Sequence, residues 1–167
     1  MKRSTIKFLS VALIALSTVT ISTSCAPQKH TAANYNIETE CMGVELDGSQ
    51  TVKAWGRGKD RNDAVEQARK NAVRDVIFKG IRKGSDECNM KPLIVEVQAQ
   101  EKYEDYFFAF FADGGKYAEF VSDVDESLFP KIGKDRRAQG SEVSYGVIIR
   151  VLRQELKRQL KQDNILK

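Results

Sequence analysis

Three alanines four residues apart, Ala64, Ala68 and Ala72, limit how this 167-residue chain can fold more than any other feature. In the stretch "DRNDAVEQARKNAVRDVIFKG" that spacing puts their methyl groups on one helix face, which Val65, Val73 and Val76 widen. A face so low in relief buries little area unless the helix lies close against a sheet, so it asks for a strand partner. Asp60 or Asn62 is placed to cap the helix, and Asp63 favours its first turn. Glu66 and Lys70 stand at i,i+4 for a surface ion pair, and Gly80 and Gly84 mark the far end.

The partner strand comes just before the helix. From Ile37, "IETECMGVEL" alternates loosely, "DGSQ" supplies turn chemistry and "TVKAWGRG" returns, which is a hairpin pattern. Gly56 and Gly58 stand at the strand–helix junction. A phosphate cradle there would need a third glycine and a ribose-binding acid, or the Lys-Ser/Thr of a P-loop, and the chain has none of these in place. Glycine at a tight junction is the better account.

Residues 97–112 predict a second helical block. Tyr103, Tyr106, Phe107, Phe110 and Phe111 fall on one stripe, while Phe108 falls off it and is a candidate exposed contact. A stripe of rings is either core or one wall of a ligand pocket. A core buries Tyr103, Tyr106 and Phe107; a pocket leaves them open. Gly114-Gly115 ends the block, and "KYAEFVSDV" adds a short further turn.

"EVSYGVIIRV" places Val143, Tyr145, Val147 and Ile149 on one strand face, with "PKIGKDRRAQGS" as its hairpin partner. Leu152, Leu156 and Leu160 then make the apolar edge of a terminal helix, opposite Arg153, Lys157, Arg158 and Lys161. That helix either docks on the sheet or turns its basic side to anionic lipid headgroups. The order is ββα, αα, ββα. It predicts an α+β fold in which about four antiparallel strands, two hairpins, carry helices on one face, in a single domain over 37–167.

The first two dozen residues have a different logic. A basic start through Lys7, an apolar run from Phe8 to Ile21 and small residues at 22–24 have the three parts of a secretory signal over 1–24. The run is shorter than the ~20 apolar residues of a spanning helix. Its abrupt end at "TSCAPQK" resembles the lipobox of bacterial lipoproteins, which implies a diacylglyceryl thioether and an N-acyl chain (palmitate or similar) on Cys25. Plain secretion, with Cys25 incidental, is the alternative. Acyl chains at ~0.8 kcal/mol per buried methylene anchor a domain without a spanning segment. Residues 25–36, polar and poor in structure formers, read as a tether. By resemblance to lipoprotein sorting signals, the lack of Asp after Cys25 and of an acidic run implies the outer membrane's inner leaflet, facing the periplasm.

Composition narrows the chemistry. Of 27 basic residues, Lys2, Arg3 and Lys7 lie in the signal, so the remainder nearly balances 23 acids. That removes the electrostatic support for nucleic-acid binding. Cys41 and Cys88 are left as one available disulfide in an oxidising compartment, or as two buried thiols. They supply no metal site, since the only histidine, His30, falls in the tether. No cofactor motif is present. His30 is equally misplaced for Ser-His or Cys-His catalysis, and the carboxylate pairs Glu101/Asp105 and Asp86-Glu87 lack a supporting motif. The chain reads as a non-enzyme.

The segment "AWGRGKDRNDAVEQARKNAVRDVI", with the late strand "YGVIIRV", resembles a domain of small bacterial lipoproteins that also forms the N-terminus of the flagellar assembly protein of type T. Residues 25–167 as a whole are similar to bacterial envelope lipoproteins whose molecular function is uncharacterised. The resemblance implies a small binding or scaffold domain in the envelope, with no catalytic residue to carry over. The expected function is therefore a lipid-anchored periplasmic interaction module with a protein partner, touching it through Trp55, Phe108, Arg153, Lys157 and Arg158. A small-ligand or glycan-binding lipoprotein using the aromatic helix is the alternative.

Overall fold

A computed structural model describes residues 38–124, 136–139 and 142–167; the signal, Cys25 and the tether with His30 lie outside the described residues. The first hairpin is as expected: β1 (Glu40–Val44) runs antiparallel to β2 (Gln50–Gly58). Asp47 closes its turn by accepting bonds from the Ser49 hydroxyl (2.6 Å) and amide (2.8 Å), which hold the carboxyl below its ordinary pKa.

The long helix α1 (Arg61–Phe78) starts at Asp60, whose carboxylate accepts from the amides of Asn62 (2.7 Å) and Asp63 (3.0 Å). Ala64, Ala68, Ala72, Val73, Val76 and Ile77 are buried without exception. The sheet meets that flat face with glycine. A Cβ on Gly56 would sit 2.0 Å from the Ala64 carbonyl oxygen and 2.3 Å from the Ala68 nitrogen, so the helix backbone rests directly on the strand. Gly80, at φ +73°, caps the helix by donating to the Asp75 carbonyl at 2.7 Å. The expected Glu66–Lys70 pair does not form: Glu66 meets Arg69 (3.4 Å), and Lys70 reaches Asp113.

The sheet is larger than the four strands expected. β3 (Lys83–Gly84), β4 (Val121–Asp123), β5 (Arg136–Gln139) and β6 (Glu142–Val151) join β1 and β2. Five strands run in the order β3-β1-β2-β6-β4, and β5 pairs with the opposite end of β6. Only the two-residue contact of β1 with β3 is parallel, so the α+β class holds while the element order differs. Residues 121–123 extend into a strand instead of continuing a helical turn, because Val121 finds Val151 as a partner. Between β2 and β6 the register opposes Val52 to Ile149, Ala54 to Val147 and Gly56 to Tyr145, which confirms the alternation expected of β6.

Residues 79–98 have little regular structure and are pinned at several points. Leu93 and Ile94 are buried and donate to the Val76 and Ile77 carbonyls at 3.1 and 2.9 Å. Cys41 and Cys88 are disulfide-bonded, with Cα atoms 5.9 Å apart and a sequence separation of 47. In the chain-entropy account a loop of that length contributes about 4 kcal/mol.

The aromatic block is two helices, not one. α2 (Ala99–Lys102) and α3 (Glu104–Phe110) meet at Tyr103, whose φ of −117° and ψ of 35° leave the helical region. Beyond α3, a 3-10 helix (Lys116–Phe120) buries Tyr117 and Phe120. Phe110 stacks on Phe120 at 6.1 Å, and Phe107 meets Phe78 edge-on at 4.8 Å. The terminal helix α4 (Arg153–Gln162) completes the core with Leu156 and Leu160.

Candidate functional site

The stripe predicted over 103–111 is core. Phe107 and Phe110 are buried, and Tyr103, Tyr106 and Phe111 pack half-buried against them. Phe108 is the exception at 82% exposure. Beside it an open groove of about 560 Å³ runs between α1 and the α2–α3 pair. Phe107 and Phe111, stacked 6.2 Å apart, take part in its lining. Gln67, Lys70, Asn71 and Arg74 form the α1 wall, at the i, i+3, i+4, i+7 spacing of one helix face. Gln100, Glu101 and Glu104 form the other wall, with Phe108.

The walls differ in charge and in freedom. Lys70 is engaged by Asp113, whose carboxyl it holds below the ordinary value, and it lies 5.5 Å from the Tyr117 ring centroid. Asn71 donates to the Trp55 carbonyl at 2.8 Å and ties α1 to β2, while Gln67 donates to Asn71 at 3.1 Å. Arg74 is exposed and has no ion-pair partner among the described residues, and the same holds for Glu101 and Glu104. The groove thus has an apolar lining, a free cation on one side and free carboxylates on the other. Glu101 and Asp105, a carboxylate pair within the single helical block predicted over 97–112, stand on separate helices because the chain turns at Tyr103.

α3 is locked to the chain terminus behind this face. The Tyr106 hydroxyl donates to Asp163 at 2.6 Å, and Gln159 donates to the same carboxylate at 2.8 Å. Burial, reinforced by that carboxylate, pushes the phenol well above its ordinary pKa. At Asp163 burial acts to raise the pKa, but the bonds from Tyr106 and Gln159, with Lys116 3.7 Å away, win and lower it.

The structure does not gather the other candidate contacts here. Trp55 projects from β2 on the face away from α1, half-buried. Its ring lies over Gly146, where a Cβ would come within 2.9 Å, and Lys53 Nζ is 5.2 Å from its centroid. Lys157 and Arg158 are exposed on α4, Arg158 facing Glu155 at 3.4 Å. Arg153 corrects the sequence reading: it is only 8% exposed and donates to the Lys91 carbonyl at 2.9 Å. Helix spacing explains this, since 153, 156 and 160 stand at i, i+3 and i+7 on the same buried stripe. Burial lowers its pKa, and Nη1 finds no partner among the described residues.

A second hollow, about 640 Å³, lies between the start of α1 and the end of β4, crossed by an ion pair in which Arg69 Nη2 donates to both Asp123 carboxylate oxygens at 2.6 and 2.7 Å. That pair raises the Arg69 pKa and serves as a strut between helix and strand. Among the described residues no three His, Cys, Asp or Glu converge to hold a metal ion, and no helix is long and apolar enough to cross a membrane. The α1 wall is what sequence reasoning missed. Its polar spacing reads only as a solvated face until α3 is known to run beside it. Compared with models of known protein families, with curated proteins and with solved structures, the chain finds no match.

Proposed function

We propose that this chain is a lipid-anchored interaction module of a bacterial envelope, held through Cys25 in the inner leaflet of the outer membrane, and that it docks a protein partner on the groove beside Phe108. The observation that carries the docking face is the contrast within α3. Around it Phe107 and Phe110 are buried and Tyr103, Tyr106 and Phe111 pack half-buried against the core, while Phe108 stands 82% exposed against an open, charge-flanked groove. Aromatic anchors seated beside a groove dominate the energetics of protein interfaces, and here the ring and the groove adjoin. The anchor rests on the sequence of residues 1–28, whose basic start, short apolar run and terminal cysteine support lipidation. Lys157 and Arg158 on α4 supply basic charge to the envelope surface as a minor contribution.

The reading involves no catalysis, no cofactor and no nucleic acid. A glycan- or ligand-binding role is the weaker alternative, because the stripe that suggested it is largely spent on packing and leaves one fully open ring. The test is crosslinking in cells followed by pull-down of the native chain beside Cys25→Ser and Phe108→Asp versions. A protein recovered with the native chain and lost with Phe108→Asp supports the face. Equal recovery from both rejects it, and recovery indifferent to Cys25→Ser rejects any positioning role for the anchor.

A further inference from the structure

We propose that the partner on this face is a second copy of the chain, in a two-fold dimer whose axis runs along the groove. The inference rests on the docking face proposed above and assigns its occupant. The groove carries both halves of a self-complementary contact: Phe108 protrudes on one wall, and a lined depression opens directly beside it. The two walls also differ in the sign of their free charge, Arg74 on α1 against Glu101 and Glu104 on the other side.

A two-fold axis parallel to the groove turns a second copy over and exchanges its walls. Each α1 then faces the other copy's α2–α3 ridge, so Arg74 of each copy meets Glu101 and Glu104 of the other. Each Phe108 comes to lie against the stems of Gln67 and Asn71 and beneath the Arg74 guanidinium, a contact that cation–π attraction favours. An axis across the groove would oppose each wall to its own kind, cation-bearing to cation-bearing and carboxylate-bearing to carboxylate-bearing, and is disfavoured by the same charges. Lys70 does not compete for the incoming carboxylates, because Asp113 already holds it. A stable interface needs about 800 Å² from each side. Val95 and Val97, 78% and 85% exposed on the chain entering α2, offer apolar surface to extend it.

The test places a photoreactive benzoylphenylalanine at position 108 of the full chain in cells, with irradiation before lysis. The side chain there is 82% exposed, so folding is retained and is checked by an intact Cys41–Cys88 disulfide. The expected product has twice the mass of one chain, with the crosslink joining position 108 to the peptide spanning residues 61–78. Arg74→Glu lowers the yield of that product about fivefold, and adding Glu101→Arg and Glu104→Arg to the same chain restores it. A crosslink to a different protein ends the self-pairing and leaves the docking face standing; no intermolecular product ends both. Failure of the charge exchange to restore the yield overturns the axis, and with it the dimer as described.

Discussion

Against β2, α1 presents Ala64, Ala68 and Ala72 at zero exposure, and the strand answers with Gly56 and Gly58; residues 103–120 fill their share of the core with rings instead. At Gly56 and Gly58 the first seam is backbone on backbone, with no side chain on the strand there to absorb a change. The second is a layer of aromatic groups meeting at centroid distances of 4.8 to 6.3 Å, where edges and faces can shift. A glycine contact of that kind should be least tolerant of an added atom, and a layer of rings most sensitive to a lost one. Such close packing suits the helix that supplies one wall of the groove proposed for docking.

The sharpest break of this contrast is Gly56→Ala. One methyl group placed 2.0 Å from a backbone oxygen has nowhere to go, and we expect a loss of about 4 kcal/mol or more, read as the shift in urea midpoint at unchanged slope. A variant as stable as the parent would mean that α1 slides freely on the sheet. Next comes Phe110→Ala, which removes a whole buried ring yet should cost about 3 kcal/mol, since Tyr106, Phe111 and Phe120 can relax toward the space. If deleting the ring proved costlier than adding the methyl, the ranking of the two seams would be reversed.

Tyr106→Phe probes the join between the ring layer and α4, and should cost about 1.5 kcal/mol through loss of the bond to Asp163. Its pH signature separates it from a packing defect. The Asp163 carboxyl is lowered in the fold, so its contribution is present above the ordinary carboxylate range and is lost as pH falls through the folded value. Removing the Tyr106 donor narrows that window from the acid side, so acid unfolding should begin at higher pH in the variant. The raised Tyr106 pKa acts at the other end: its contribution holds below the ordinary phenol value and fades as pH rises through the folded one, and the variant lacks that alkaline fade.

How far each seam could be read beforehand follows from the same contrast. The α1 seam was legible because its determinants are local: a four-residue period of alanine, Asp60 at the cap, glycine on the strand before. The β6 alternation was legible for the same reason, as was the single pairing left to Cys41 and Cys88. What was not legible depends on contacts far apart in the chain. β3 exists because Lys83 and Gly84 are carried back beside Glu40 and Cys41, and β4 because Val121 arrives next to Val151. Arg153 was misassigned by grouping it with the lysines downstream, although its own helical phase with Leu156 and Leu160 was there to be counted. In the groove, Phe108 was visible as the ring off the stripe, while Arg74 and Gln67 acquire meaning only from the neighbouring helix.

Phe108→Ser is the smallest expected effect on stability and the one that bears most on function. An 82% exposed ring has already forgone its burial energy, so replacing it should lower the unfolding free energy by no more than about 0.5 kcal/mol, against about 3 kcal/mol for Phe110 two positions away. Measured on the purified chain, a near-zero change would mean that the ring serves no part of the isolated fold and is free for the contact proposed for it. A loss of 2 kcal/mol or more would place Phe108 inside the chain's own packing, and the docking face would have to be given up.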